Sequence, residues 1–86
     1  MSLYMARVEV RLKRSVLDPQ GTAVQGGLAS LGFAGVSDVR IGKLIEVRLE
    51  AESPEAARQM MEDASRKLLA NTVIEEFEVN VEEVRG

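Results

Sequence analysis

Between Ala6 and Arg14 the chain alternates: Val8, Val10 and Leu12 fall on one side, Arg7, Glu9, Arg11 and Lys13 on the other. A period of two with one apolar and one charged face is the pattern of a half-buried strand. Such a strand belongs in a sheet covered on one side and wet on the other, which is the habit of antiparallel sheets. The next seven residues, Ser15-Val-Leu-Asp-Pro-Gln-Gly21, end the strand and start a helix. Asp18 is placed to accept a hydrogen bond from a free N–H at a helix N-terminus, and Pro19 has the fixed φ that suits the first helical position. The proline also holds Asp18 out of the α region, as an N-cap requires.

That helix is expected from Pro19 to about Leu31, with Val24, Leu28 and Leu31 on one stripe facing the core and Gly32 ending it. Gly21, Gly26 and Gly27 lie inside it, each costing about 0.5 to 1 kcal/mol relative to alanine. Close backbone approach, to this domain's own sheet or to another subunit, is what would offset that cost, and the intramolecular reading is the simpler. Val36–Ile41 and Leu44–Glu50 are expected to be strands joined by Gly42-Lys43 in a two-residue hairpin turn. Ser53 caps and Pro54 opens a second helix, which carries Ala57, Met60, Met61, Ala64 and Leu68 toward the core and ends near Ala70-Asn71. A last strand, Val73 to Val81, alternates Phe77, Val79 and Val81 with Glu76, Glu78 and Asn80, and residues 82–86 are expected to fray. Met1-Ser2-Leu3, ahead of a second methionine at Met5, read as an expression leader, with residues 1–4 outside the fold.

The order β-α-β-β-α-β in one 86-residue domain is the α+β, ferredoxin-like arrangement, a four-stranded antiparallel sheet with two helices on one face. The first strand would lie between the third and fourth, setting its mainly basic row beside Glu46, Arg48 and Glu50 and beside Glu76 and Glu78. That face reads as solvated and laced with ion pairs, or as a docking surface for like domains or partners.

Composition narrows the function. With no Cys and no His the chain lacks a thiolate nucleophile, the commonest general base and the usual zinc ligands. A net charge of -3 argues against a nucleic-acid backbone as partner. No apolar run reaches the roughly 20 residues of a membrane span, and Arg7 interrupts any signal peptide, so the expected location is cytoplasmic. A chain of this size buries only about 60 to 65% of its unfolded surface, and with two Phe, one Tyr and no Trp the core is aliphatic. Help from a second copy is the natural expectation. Ala23-Val-Gln-Gly-Gly27 is no acylphosphatase phosphate loop, because it falls inside the helix and no arginine follows before Arg40. An RNA-recognition module is excluded by strands without stacking aromatics. A small-molecule-sensing domain of the ACT type shares the element order and stays open as the alternative.

Three stretches carry a specific signal: Ser15 to Gly21, then Asp38-Val-Arg-Ile-Gly-Lys43 with Ile45-Glu46, then Lys67-Leu-Leu-Ala-Asn71 with Val73-Ile-Glu75. In order and spacing they closely resemble PurS, the small-subunit family of phosphoribosylformylglycinamidine synthase. Two positions depart from it, Thr72 where proline commonly follows the asparagine and Phe77 where tyrosine is frequent. The resemblance implies a place in purine biosynthesis, in the ATP- and glutamine-dependent conversion of formylglycinamide ribonucleotide to the amidine. It further implies a chain without catalytic, cofactor or metal residues of its own, bridging a glutaminase subunit, PurQ, and a synthetase subunit, PurL, with ATP and magnesium used by the latter. Self-association as a homodimer or homotetramer is implied as well. The candidate subunit interface is Ser15, Asp18, Gln20, Gly21, Arg40, Gly42, Lys43 and Asn71. Asp18 reads first as a cap, Gly42-Lys43 as a turn and Asn71 as a helix end in the left-handed region, leaving Ser15, Gln20, Arg40 and Lys43 as the freer side chains.

Overall fold

The computed structural model describes residues 1–84, in the order β1 (Ser2–Leu12), α1 (Pro19–Ser30), β2 (Gly42–Ala51), α2 (Pro54–Ala64) and β3 (Glu75–Glu83). The strands form one antiparallel sheet in the order β2-β1-β3. The alternation of β1 is realised as read: Tyr4, Ala6, Val8 and Val10 are buried under α2, and Val8 stands opposite both Ile45 and Val79. Met61, Ala70 and Val79 complete the main core, while Ala51 and Ala57 close around Tyr4. On the other face Arg7 reaches Glu46 at 3.2 Å and Glu82 at 3.1 Å, and Arg11 reaches Glu76 at 3.1 Å. The central basic row is thus bracketed by the acidic rows of its neighbours.

Among the described residues the sheet has three strands, not the four expected. The expected strand at Val36–Ile41 is absent, because its backbone groups have partners other than a ladder. The Ile41 N–H donates to Asp18 Oδ2 at 2.9 Å, and the Val36 carbonyl accepts from Gln25 Nε2 at 3.4 Å. Gly42-Lys43 is accordingly no hairpin turn. Both residues open β2, where Gly42 lies opposite Arg11 and a Cβ would stand 2.6 Å from the Val10 carbonyl oxygen. That close approach of two backbones is what requires glycine there.

The N-terminal residues are part of the fold. Ser2 to Tyr4 pair with β2, and Tyr4 is in the core. Glu82 and Glu83, expected to fray, extend β3, and the Val84 N–H donates to the Leu3 carbonyl at 2.8 Å; residues 85 and 86 lie outside the described residues.

Both helices begin as the caps dictate. Asp18 Oδ1 accepts from the Gly21 N–H at 2.9 Å, and Ser53 Oγ from the Ala56 N–H at 3.0 Å. α1 closes at Gly32, whose φ of 95° permits the paired bonds from Gly32 N–H to the Ala29 carbonyl and from Phe33 N–H to the Leu28 carbonyl. α2 runs into a single π-helical turn, Ser65–Leu69. The Ala70 N–H reaches back five residues to the Ser65 carbonyl, while Ser65 Oγ donates to the Met61 carbonyl at 2.6 Å. One extra residue in a turn rotates the chain beyond it by about 100°. Leu69 therefore packs on the core and Leu68, expected there, is 82% exposed.

Only α2 lies against the sheet, so the expectation of two helices on one face is also corrected. α1 projects beyond the end where β1 stops and β2 starts, and of its expected core stripe Val24 and Leu31 are exposed while Leu28 is half-buried. The radius of gyration is 16.5 Å, against about 12 Å for a compact chain of this length. The molecule is a slab of 51 × 31 × 14 Å.

Candidate subunit interface

The corner after β1 is tied to the segment before β2 by two side chains. Asp18 is buried, and its carboxylate divides between two backbone donors, Gly21 N–H through Oδ1 and Ile41 N–H through Oδ2, both at 2.9 Å. The first bond caps α1. The second fastens the helix start to a residue 23 positions on. These two bonds, with the Arg40 charge nearby as a lesser contribution, hold the Asp18 carboxyl below its ordinary value of 3.8 against the opposing effect of burial. Arg40 makes the reciprocal tie. Its Nη2 lies 2.8 Å from the Lys13 carbonyl and 3.3 Å from those of Leu12 and Val16. One guanidinium thus gathers three carbonyls from the end of β1 and the turn after it, one of which, that of Lys13, also accepts from the Val16 N–H at 2.9 Å.

Gly21 lies where these ties cross. It is buried, and a Cβ there would collide with the Val39 carbonyl oxygen. Of the helical glycines, this one makes the intramolecular close approach expected from sequence. Gly26 and Gly27 have nothing within 4 Å of the space a Cβ would take.

Asp18, Gly21 and Arg40 therefore come together as a latch, and shallow clefts open on either side of it. One is lined in part by Gln20, Gly42 and Lys43, the other by Arg14, Ser15 and Asp38. Ser15, Gln20 and Lys43 are exposed, as expected. Arg40 does not point free into solvent, since alternation sets direction only within a strand and this segment is not one. Asn71 lies past the C-terminal end of α2, at the same end of the sheet as the latch, in the turn whose Ile74 carbonyl accepts from the Lys13 N–H at 2.9 Å. It does not adopt the left-handed region, because no described residue other than glycine has positive φ. Its Oδ1 accepts from the Val73 N–H at 3.1 Å instead, and its own N–H donates to Glu75 Oε1 at 2.7 Å, closing the turn into β3. Thr72, where the resemblance leads one to expect proline, is exposed in a turn built on those bonds.

The apolar residues around α1 escape a reading of the interface from sequence. Leu17 is 79% exposed, Leu31 75% and Phe33 57%, with Val24 also open. The spacing of Val24 and Leu31 assigns them to the core, and the same spacing would name a binding face just as well. Among the described residues no group of three or more acidic side chains is placed to hold a metal ion, and no helix is long and apolar enough to cross a membrane.

Fold and latch together define an open-faced α+β domain of the general ferredoxin-like kind, with one strand fewer and an uncovered helical lobe. The sequence of the PurS family, Phosphoribosylformylglycinamidine (FGAM) synthase, matches residues 5–83. The chain is 51% identical over 83 residues to the phosphoribosylformylglycinamidine synthase subunit PurS of Synechocystis sp., covering 96% of this chain and 83% of that protein. The crystal structure of Bacillus subtilis PurS superposes with a TM-score of 0.81 at 49% identity, over 93% of this chain and 99% of the other. A chain in the structure of PurLQS from Thermotoga maritima does so with a TM-score of 0.85 at 33% identity, over 98% and 100%. This chain belongs to the PurS family of phosphoribosylformylglycinamidine synthase.

Proposed function

We propose that this chain is the small, non-catalytic subunit of phosphoribosylformylglycinamidine synthase in purine biosynthesis, joining a PurQ glutaminase to a PurL synthetase in the cytoplasm. The observation that carries the reading is the likeness to a chain of the Thermotoga maritima PurLQS structure, which spans 98% of this chain and all of that one. The chemistry of the residues agrees with it. A chain without Cys or His has neither a thiolate to attack glutamine nor an imidazole to move its protons. The conversion of formylglycinamide ribonucleotide needs ammonia released in one body and used in another with ATP and magnesium, and this chain supplies contact rather than reaction. It holds no cofactor of its own. Its exposed apolar lobe supports self-association as a dimer or tetramer.

Reconstitution tests this. With glutamine and nucleotide present, the chain is expected to co-purify with PurQ and PurL. Leaving it out should remove glutamine-dependent synthesis and spare the ammonia-dependent activity of PurL. Full glutamine-dependent synthesis by the two larger subunits alone would refute the bridge, as would ammonia release from glutamine by the isolated chain. Calorimetric binding of an amino acid or nucleotide to the chain alone would favour an ACT-type sensor.

A further inference from the structure

Three segments of chain meet at the end of the sheet where β1 stops. Leu12 stands opposite Glu75 of β3, and Arg11 opposite Gly42 of β2. Past that row the Lys13 N–H donates to the Ile74 carbonyl at 2.9 Å, while Arg40 and Asp18 tie the corner after β1 to the segment before β2. The turn into β3 closes on itself, with the Ile74 and Glu75 N–H groups both donating to the Asn71 carbonyl. The backbone of this end is therefore fixed by its own hydrogen bonds before any partner arrives, which lowers the cost of binding one.

Each segment nonetheless turns a large aliphatic side chain to water. Leu17 of the corner is 79% exposed, Leu68 of the π turn 82% and Val73 of the turn into β3 80%. Folding asks for none of them. The turns are made by Asp18, Arg40 and Asn71, so polar residues at 17, 68 and 73 would serve the fold as well. At Leu68 the π turn itself is the cause of the exposure, and such turns are frequent at functional sites.

The charges of this end are unbalanced. Asp18, Asp38, Asp63, Glu75 and Glu76 each have a donor or cation within 3.5 Å. Lys13, Lys43 and Arg66 have no carboxylate within 4 Å among the described residues. Lys43 borders the cleft that also holds Leu12, Gln20 and Glu75. Glu50, Glu52, Glu55 and Glu83, which likewise make no ion pair among the described residues, lie at the other end of β1, about 33 Å away. A second copy is thus a poor occupant. Matching these charges would set the latch end of one copy on the far end of the next, a head-to-tail contact that runs on instead of closing.

We propose that this end of the sheet docks one of the two larger subunits of the synthase, on a surface of that subunit that rings an aliphatic patch with carboxylates. Leu17, Leu68 and Val73 enter the patch, and Lys13, Lys43 and Arg66 face the carboxylates. This rests on the joining role proposed above and assigns it a surface.

Leu17→Ser with Val73→Ser, and separately Lys43→Glu, test it. Binding of each variant to PurL and to PurQ is measured with glutamine and nucleotide present, beside sedimentation of the chain alone. The expected result is binding to one larger subunit weakened at least tenfold, with self-association unchanged. For Lys43→Glu the loss of binding with added salt should also be shallower than for wild type. Acetylation of the wild-type chain needs no variant: Lys43 should react several-fold more slowly in the complex than in the chain alone. Variants that fold and bind both subunits as wild type does would overturn the surface and leave the joining role intact. Loss of self-association alone would overturn it in the same way, and so, where the variants fail to fold, would equal reactivity of Lys43 in both states. Failure of the wild-type chain to bind either subunit would overturn the joining role as well.

Discussion

Asp18 and Arg40 show how one residue can serve two elements. Each Asp18 carboxylate oxygen has a separate backbone donor, one inside α1 and one ahead of β2. Because its pKa is lowered in the folded chain, its contribution to stability is present above the ordinary value of 3.8 and is lost as pH falls through the lower, folded value. Asp18→Asn removes that titration, so acid unfolding followed by circular dichroism should show the gap between wild type and variant narrowing below about pH 4. A gap constant across that range would contradict the assignment. Arg40 and Lys43, close in sequence, separate here. Arg40→Ala strips a charged donor from three carbonyls and should destabilise by about 1 to 3 kcal/mol, whereas Lys43→Ala on an exposed side chain should stay within about 0.5 kcal/mol. Thermal melts of the two single variants decide it, and equal melting temperatures would dismiss the latch.

At the scale of elements, α1 is governed by its glycines and α2 by its final turn. Gly21 is needed because the Val39 carbonyl leaves no room for a Cβ. Gly26 and Gly27 face open space, so in the isolated chain they only weaken the helix. Gly21→Ala should therefore lower the melting temperature, whereas Gly26→Ala with Gly27→Ala should raise helix stability by about 0.5 to 1 kcal/mol per site. Far-ultraviolet circular dichroism at high dilution checks both signs. A fall for the double variant would mean that both positions are already covered. The π turn acts on α2 in a comparable way: one additional residue exchanges Leu68 for Leu69 in the core and delivers the chain to the Asn71 turn.

The whole molecule is a sheet half-roofed by α2, with a lobe extended beyond its end. A radius of gyration of 16.5 Å leaves much apolar surface on the lobe uncovered, more than a chain of 86 residues with a small aliphatic core is equipped to leave in water. Stability should accordingly be shared between copies. The melting temperature is expected to rise with protein concentration over about a hundredfold range, because a partner that binds only the folded chain stabilises it by mass action. Scanning calorimetry measures this directly, and a melting temperature independent of concentration would mean that the slab is self-sufficient.

The features legible in the sequence are those set by neighbours a few residues apart. The alternation of β1, the Asp18-Pro19 and Ser53-Pro54 starts, the Gly32 stop and the alternating tail of β3 all appear where local rules put them. The three stretches that mark the family are equally plain, because they are sequence themselves. Tertiary structure decided the rest. Val36–Ile41 has strand composition, but its hydrogen bonds go to Asp18 and Gln25, and β1 has no free edge once β2 and β3 flank it. Tyr4, placed outside the fold by its position near the start, is core because Leu49 and Glu83 stand opposite it. The stripe of α1 reads as core-facing by spacing alone, yet spacing says only that the face must be covered. Which surface covers it depends on where the latch from Asp18 and Arg40 sends the helix, and those contacts reach across 23 to 28 residues of chain.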